Sequence, residues 1–288
     1  MQHEHAATVS TEPTSRFAEV HGLKLHYLDW GGDPARHTIL LCHGGSAHAH
    51  WWDGVAPRLT DCGRVLALDF RGHGRSQWAH TYGPSGHIND LKSFIRDHLR
   101  SRVVLVGHSM GGEIAQRVAV DCPDALEALV IADAPHGGPP LKTRLIWRWK
   151  RRNQDGPRPE FRALEDLVRK FRLSPPGHFL TAEAIAAIAI KGAEQLPNGN
   201  WAFRFDPKTR RMTPGWRQQV KSRIQDLRMP VLILRGELSA LVTPRAARKM
   251  HRRIRGSILK EIPLAYHHIS LDNAEATASA IAEFVGRL

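Results

Sequence analysis

The sequence predicts an α/β protein, a doubly wound and mostly parallel sheet into which a helical cap is inserted. Three observations predict it. Short continuous apolar runs recur along the chain, amphipathic helical patterns fall between them, and one long central segment keeps the helical patterns but has no convincing buried strand. A strand covered on both faces reads as an unbroken apolar run, so the alternation suits a sheet with helices on either side.

The elements follow in order. Leu23–Trp30 (LKLHYLDW) alternates as a half-buried strand does. Thr38–Cys42 (TILLC), Arg64–Phe70 (RVLALDF), Arg102–Val106 (RVVLV), Ala128–Asp133 (ALVIAD) and Pro230–Arg235 (PVLILR) are the continuous runs, with Ser257–Ile262 as a weaker last strand. Helices are predicted over His87–Leu99, Met110–Val120, Thr243–Arg253 and Ala274–Val285. From about His136 to Trp216 the rhythm breaks. Amphipathic patterns at Glu160–Phe171 and Thr181–Ile190 lie there between Gly137-Gly138-Pro139-Pro140 and Met212-Thr213-Pro214-Gly215. The expected organisation is a disordered tail over 1–16, a core of 17–136 and 217–288, and a cap over 137–216.

Bulk properties narrow the function classes. At 288 residues, 42% hydrophobic and 24% charged, the chain can bury a full core without disulfides. Its three cysteines, Cys42, Cys62 and Cys122, have no metal-ligand spacing and read as reduced thiols of a cytoplasmic protein. The polar N-terminus has no apolar core of a signal peptide, and no segment has the length and hydropathy of a membrane span. A formal charge of +13 has no zinc-finger or RNA-binding signature beside it, so no nucleic-acid partner is expected. The 18 histidines form neither H-E-x-x-H nor a Cys/His quartet, so neither a metal nor another cofactor is expected.

Gly107-His108-Ser109-Met110-Gly111 is a G-x-S-x-G pattern, and its context gives it weight. It follows the run RVVLV and opens a helix, a strand-to-helix turn that lifts the Ser109 hydroxyl clear of the sheet. The backbone N–H of Met110 then faces the reaction centre from a helix N-terminus, where negative charge is favoured. Cys42-His43-Gly44-Gly45 follows another strand, and the N–H of Gly45 can point to the same place. Two such donors form an oxyanion hole, each worth about 10²–10³ in rate. His43 is expected to act as a structural hydrogen-bonder.

These motifs come in a familiar order. The strand-HGG turn, DFRGHGRS at Asp69–Ser76, GHSMGG at Gly107–Gly112 and AYHHISLD at Ala265–Asp272 resemble the α/β-hydrolase superfamily, as do HYLDWG at His26–Gly31 and WWDGVAPRL at Trp51–Leu59. The resemblance covers nearly the whole core and implies a catalytic histidine in the loop after the last strand. Counting back from Leu271-Asp272, His267 takes that place over His268, with Tyr266 where a glycine is usual. The family's acid usually lies three or four residues beyond the glycine that ends the strand before the penultimate helix. That glycine is Gly236, and the places hold Ser239 and Ala240. Two carboxylates remain. Asp133 stands at the end of the strand after the nucleophile helix, a place that some superfamily members use, and Glu237 is the alternative acid.

The resemblance implies a serine hydrolase that cleaves a carboxylic ester or thioester of a small to medium apolar acyl group, a small-molecule substrate. A serine at the elbow argues against epoxide hydrolase and haloalkane dehalogenase chemistry, which use aspartate there. A carbon–carbon hydrolase of the vinylogous-diketone type and a non-catalytic ligand receptor with a vestigial site are the alternatives. From Leu141 to Arg172, eleven Lys/Arg against four Asp/Glu raise an anionic substrate as an option.

Overall fold

The computed structural model describes residues 12–136, 157–211 and 223–288. The first half supplies strands β1 Thr14–Val20, β2 Leu23–Asp29, β3 Thr38–Cys42, β4 Arg64–Leu68, β5 Val103–His108 and β6 Leu126–Ala132. Helix α1 (Pro84–Ser93) precedes β5, and α2 (Met110–Asp121) follows it. The central segment contributes α3 (Leu164–Lys170), α4 (Ala182–Lys191) and three short strands, β7 Glu160–Phe161, β8 Ala193–Gln195 and β9 Trp201–Phe203. The chain returns with β10 Val231–Gly236, α5 (Pro244–Arg253), β11 Ile258–Ile262, the single turn α6 (Ile269–Asp272) and α7 (Ala274–Val285).

Eight strands form the main sheet in the order β1-β2-β4-β3-β5-β6-β10-β11. The pairs β1·β2 and β2·β4 are antiparallel and the rest are parallel. The expected doubly wound, mostly parallel sheet is therefore the fold. Alternation within each apolar run explains why none of them reads as amphipathic. Leu40, Leu105, Leu129 and Ile233 pack on one face with Ile114 and Val118 of α2 and Met250 of α5. Leu41, Val104, Val130 and Leu232 pack on the other with Ile281 and Phe284 of α7. Both faces are buried, so both parities are apolar.

Helix boundaries follow their caps. The side chains of Thr181, Thr243 and Asn273 each accept a hydrogen bond from the N–H three residues on, at 3.3, 3.2 and 3.0 Å, and α4, α5 and α7 begin at the next residue. No helix among the described residues is long and apolar enough to cross a membrane.

Two expectations need correction. The tail boundary at residue 16 falls inside β1, whose Thr14–Arg16 pair with Tyr27–Asp29. The first four residues of this edge strand are exposed, so no apolar run marks it. The inserted segment is not purely helical, because β7, β9 and β8 form a small antiparallel sheet. Strands of two or three residues carry too little periodicity to be read from sequence. Residues 1–11, 137–156 and 212–222 lie outside the described residues. With them lie most of the expected tail, both Pro/Gly boundaries and the basic run Arg148–Arg152.

Candidate active site

The site forms where β5, β6, β10 and β11 end. β5 runs into Ser109, whose φ of 52° and ψ of −117° make it the sharp turn before α2. Close packing explains the flanking glycines. A Cβ on Gly107 would lie 2.5 Å from the carbonyl oxygen of Gly111, and one on Gly111 would lie 2.5 Å from that of His43. Ser109 occupies the N-cap position of α2, yet its side chain makes no capping bond. The hydroxyl lies instead 2.9 Å from His267 Nε2.

His267 follows β11 and is buried. Its Nδ1 lies 2.6 Å from Asp133 Oδ2, at the end of β6. An ionised carboxylate only accepts, so Nδ1 carries the proton, Nε2 accepts, and the Ser109 hydroxyl donates to it. Asp133 has no exposed surface and a positive φ of 42°. Its Oδ1 accepts from the N–H of Gly236 at 3.0 Å, and its Oδ2 also accepts from the Ser239 hydroxyl at 2.7 Å.

Glu237, the alternative acid, is not brought to His267. It is exposed, and its Oε2 accepts from the N–H of Leu264 at 2.9 Å. One residue past the strand end, its side chain caps the turn after β11 and leaves the histidine to Asp133. The neighbouring His268 donates from Nε2 to the carbonyl of Pro175 at 3.0 Å, while burial pushes its imidazole down to about 3 and keeps it neutral beside His267.

The loop after β3 lies against the elbow. A Cβ on Gly44 would meet Cβ of Ser109 at 3.2 Å, and one on Gly45 would meet the sulfur of Met110 at 3.8 Å. Met110 is the first residue of α2, so its N–H has no acceptor within the helix. His43 braces this loop: its Nδ1 donates to the Gly44 carbonyl at 2.7 Å and its Nε2 accepts from Phe70 N–H at 3.1 Å.

An apolar cluster of Ala47, Trp51 and Leu173, with Ile188 and Leu271 against it, adjoins the histidines. Its link to them is the Trp51 ring, edge-on to His268 with centroids 5.3 Å apart. As for metals, His108, His267 and His268 each bring a ligand atom within 4.8 Å of the others, a grouping that linear spacing did not disclose. His108 Nε2 donates to the carbonyl of His267 at 2.9 Å, and both nitrogens of His267 are engaged by Ser109 and Asp133. A metal there would have to displace the hydrogen bonds that His267 makes with Ser109 and Asp133.

The order and spacing of these parts match a known family over residues 33–274, described as serine aminopeptidase, S33. This chain belongs to that family. It is an esterase-like α/β-hydrolase. Among relatives of this S33 hydrolase is the esterase Rv0045c of Mycobacterium tuberculosis, 29% identical over 232 residues, 78% of this chain and 74% of that one. A monoacylglycerol lipase of Mycolicibacterium smegmatis is 27% identical over 284 residues, 90% of this chain and 91% of that one. Among solved structures, E-2-(acetamidomethylene)succinate hydrolase superposes with a TM-score of 0.79 at 25% identity, covering 96% of this chain and all of that one (100%).

Two features of the site carry no mark in the sequence: position 239 reads only as a place lacking an acid, and no motif points to the apolar cluster. Neither has a linear signal, because each is assembled from segments far apart in the chain.

Proposed function

We propose that this S33 hydrolase cleaves carboxylic esters or thioesters of small to medium apolar acyl groups through an acyl-enzyme. The observation that carries the reading is the hydrogen-bonded chain from Ser109 through His267 to Asp133. His267 Nε2 takes the Ser109 proton as Oγ attacks the acyl carbon. The N–H groups of Gly45 and Met110 hold the resulting oxyanion, and Asp133 supports the imidazolium. The tetrahedral adduct collapses as His267 hands the proton to the departing alcohol or thiol. Water, deprotonated by the same nitrogen, then attacks the acyl-enzyme, and the proton returns to Ser109 as the acid leaves.

Support for the substrate class comes from the apolar cluster beside the histidines and from the esterase and lipase among the relatives. In this reading residues 137–216 act as the cap over the site, and the three unpaired cysteines suit a cytoplasmic setting. The test is turnover of a graded series of p-nitrophenyl esters and acyl thioesters, with a fluorophosphonate label on Ser109. Labelling and a burst of nitrophenol are expected. Labelling without turnover of any ester would favour the carbon–carbon hydrolase reading, and folded protein that takes no label would favour a receptor.

A second reading adds a negative group to the acyl chain. The likeness to a hydrolase of a succinate derivative favours it, as does the charge of +13. It requires that hemisuccinate esters show a lower KM than matched neutral esters, and that added salt narrow the gap.

A further inference from the structure

We infer that Ser239 is a positioning residue that holds the carboxylate of Asp133 on His267. The inference rests on the Ser109–His267–Asp133 reading above. Asp133 reaches the site from β6, but apart from His267 the donors to its carboxylate come from elsewhere. Gly236 ends β10 and donates to Oδ1, and Ser239 lies in the turn that follows and donates to Oδ2. The end of β10 and the turn after it therefore set where the carboxylate points.

The Ser239 hydroxyl has one proton and two lone pairs. Its oxygen is approached by the N–H groups of Leu241 and Val242, at 3.3 and 3.2 Å. Those two donors occupy the acceptor side, so the single proton is left to point at Asp133 Oδ2, 2.7 Å away. That same oxygen takes the Nδ1–H of His267. Ser239 is 5% exposed and Asp133 0%, so bulk water cannot supply a substitute donor. A hydrogen bond to an ionised acceptor in such a place is among the stronger ones.

The placement also accounts for the missing acid. The resemblance to the superfamily expects a carboxylate at 239 or 240, and the structure brings Ser239 within one hydrogen bond of the carboxylate at 133. Two strand ends thus converge on one point beside His267. The β6 end brings the charge and the β10 end brings a hydroxyl that aims it.

Ser239→Ala tests this, read as kcat and KM on a p-nitrophenyl ester together with Tm. A loss of about tenfold or more in kcat with KM within about twofold is expected, because the group acts through His267 and touches no substrate. Ser239→Thr, which keeps a hydroxyl, should recover most of the loss. A lowered Tm with kcat as in the parent would make Ser239 a loop staple only and overturn the inference. Should Ser239→Ala fail to fold, the pair Asp133→Asn/Ser239→Asp decides. Activity well above that of Asp133→Asn alone supports convergence on one point, and no gain over it overturns the inference. Asp133→Asn alone separates the two levels. If that variant keeps full turnover, the underlying Ser–His–Asp reading has failed. If it is inactive while Ser239→Ala matches the parent, only the role of Ser239 has.

Discussion

Asp133 Oδ2 and His267 Nδ1 lie 2.6 Å apart although the residues stand 134 positions apart in the chain. β6 delivers one and the loop after β11 the other, with β10 paired between the two strands. Without that carboxylate the imidazole loses both its preferred tautomer and the charge that supports imidazolium. Asp133→Asn is expected to lower kcat by about 10⁴ in folded protein. Glu237→Gln should leave turnover within about twofold, since its carboxylate caps the Leu264 N–H. Comparing the two variants on one p-nitrophenyl ester checks both statements.

Ser109→Ala should abolish turnover, by about 10⁶ if the triad acts as a unit. The fold should persist, because the hydroxyl makes no capping bond to α2 and only the contact to His267 is lost. Circular dichroism and a melting curve serve as controls. Substantial esterase activity in the folded variant would remove Ser109 from the mechanism.

Gly111→Ala places a methyl group 2.5 Å from the carbonyl oxygen of His43 and 2.6 Å from that of Cys42. Relief requires moving the loop after β3 away from α2, the movement that would also part Gly45 from Met110. A stability loss of about 1–3 kcal/mol is expected, together with a fall in kcat. Gly286→Ala is the matched control. There the nearest atom to the added carbon is the Ala282 carbonyl oxygen at 3.4 Å, and Tm should hardly move.

Acid should weaken the fold before most carboxylates titrate. Burial pushes His43, His87 and His268 down to about 3 and His48 down to about 4, against 6.5 for the free side chain. Between those values the unfolded chain binds protons that the folded chain refuses. Their contribution is whole above about pH 6.5 and is lost progressively as the pH falls from 6.5 toward about 4 for His48 and about 3 for the other three. Denaturation midpoints in urea measured from pH 7.5 to 4.5 should decline steadily with falling pH. A flat profile would mean that these imidazoles reach solvent.

Much of the fold is legible in the sequence. The runs at Thr38–Cys42 and Pro230–Arg235 became β3 and β10 to within a residue, because burial on both faces leaves only apolar residues at every position. Helices α2 and α7 were equally plain from the patterns at Met110–Val120 and Ala274–Val285. β1 was missed because its outer half faces water, and the strands of the inserted sheet were too short to show a period.

The candidate nucleophile and histidine were readable for different reasons. Ser109 sits in a contiguous five-residue pattern whose glycines exist only to let strand and helix touch, so the local sequence encodes the geometry. His267 was located through the superfamily resemblance, by its distance from the nearby Leu271-Asp272. Which carboxylate faces that histidine had no such encoding. Asp133 and Glu237 each follow the last residue of neighbouring parallel strands, but Ala132 pairs with Leu234, so Glu237 stands two residues further out, where its carboxylate meets the Leu264 N–H instead of His267. The apolar runs of the central strands, the elbow and the candidate histidine are each marked by residues close together in the chain. The contacts of Asp133 with His267 and with Ser239 carry no such local mark, because they depend on how three strand ends converge in space.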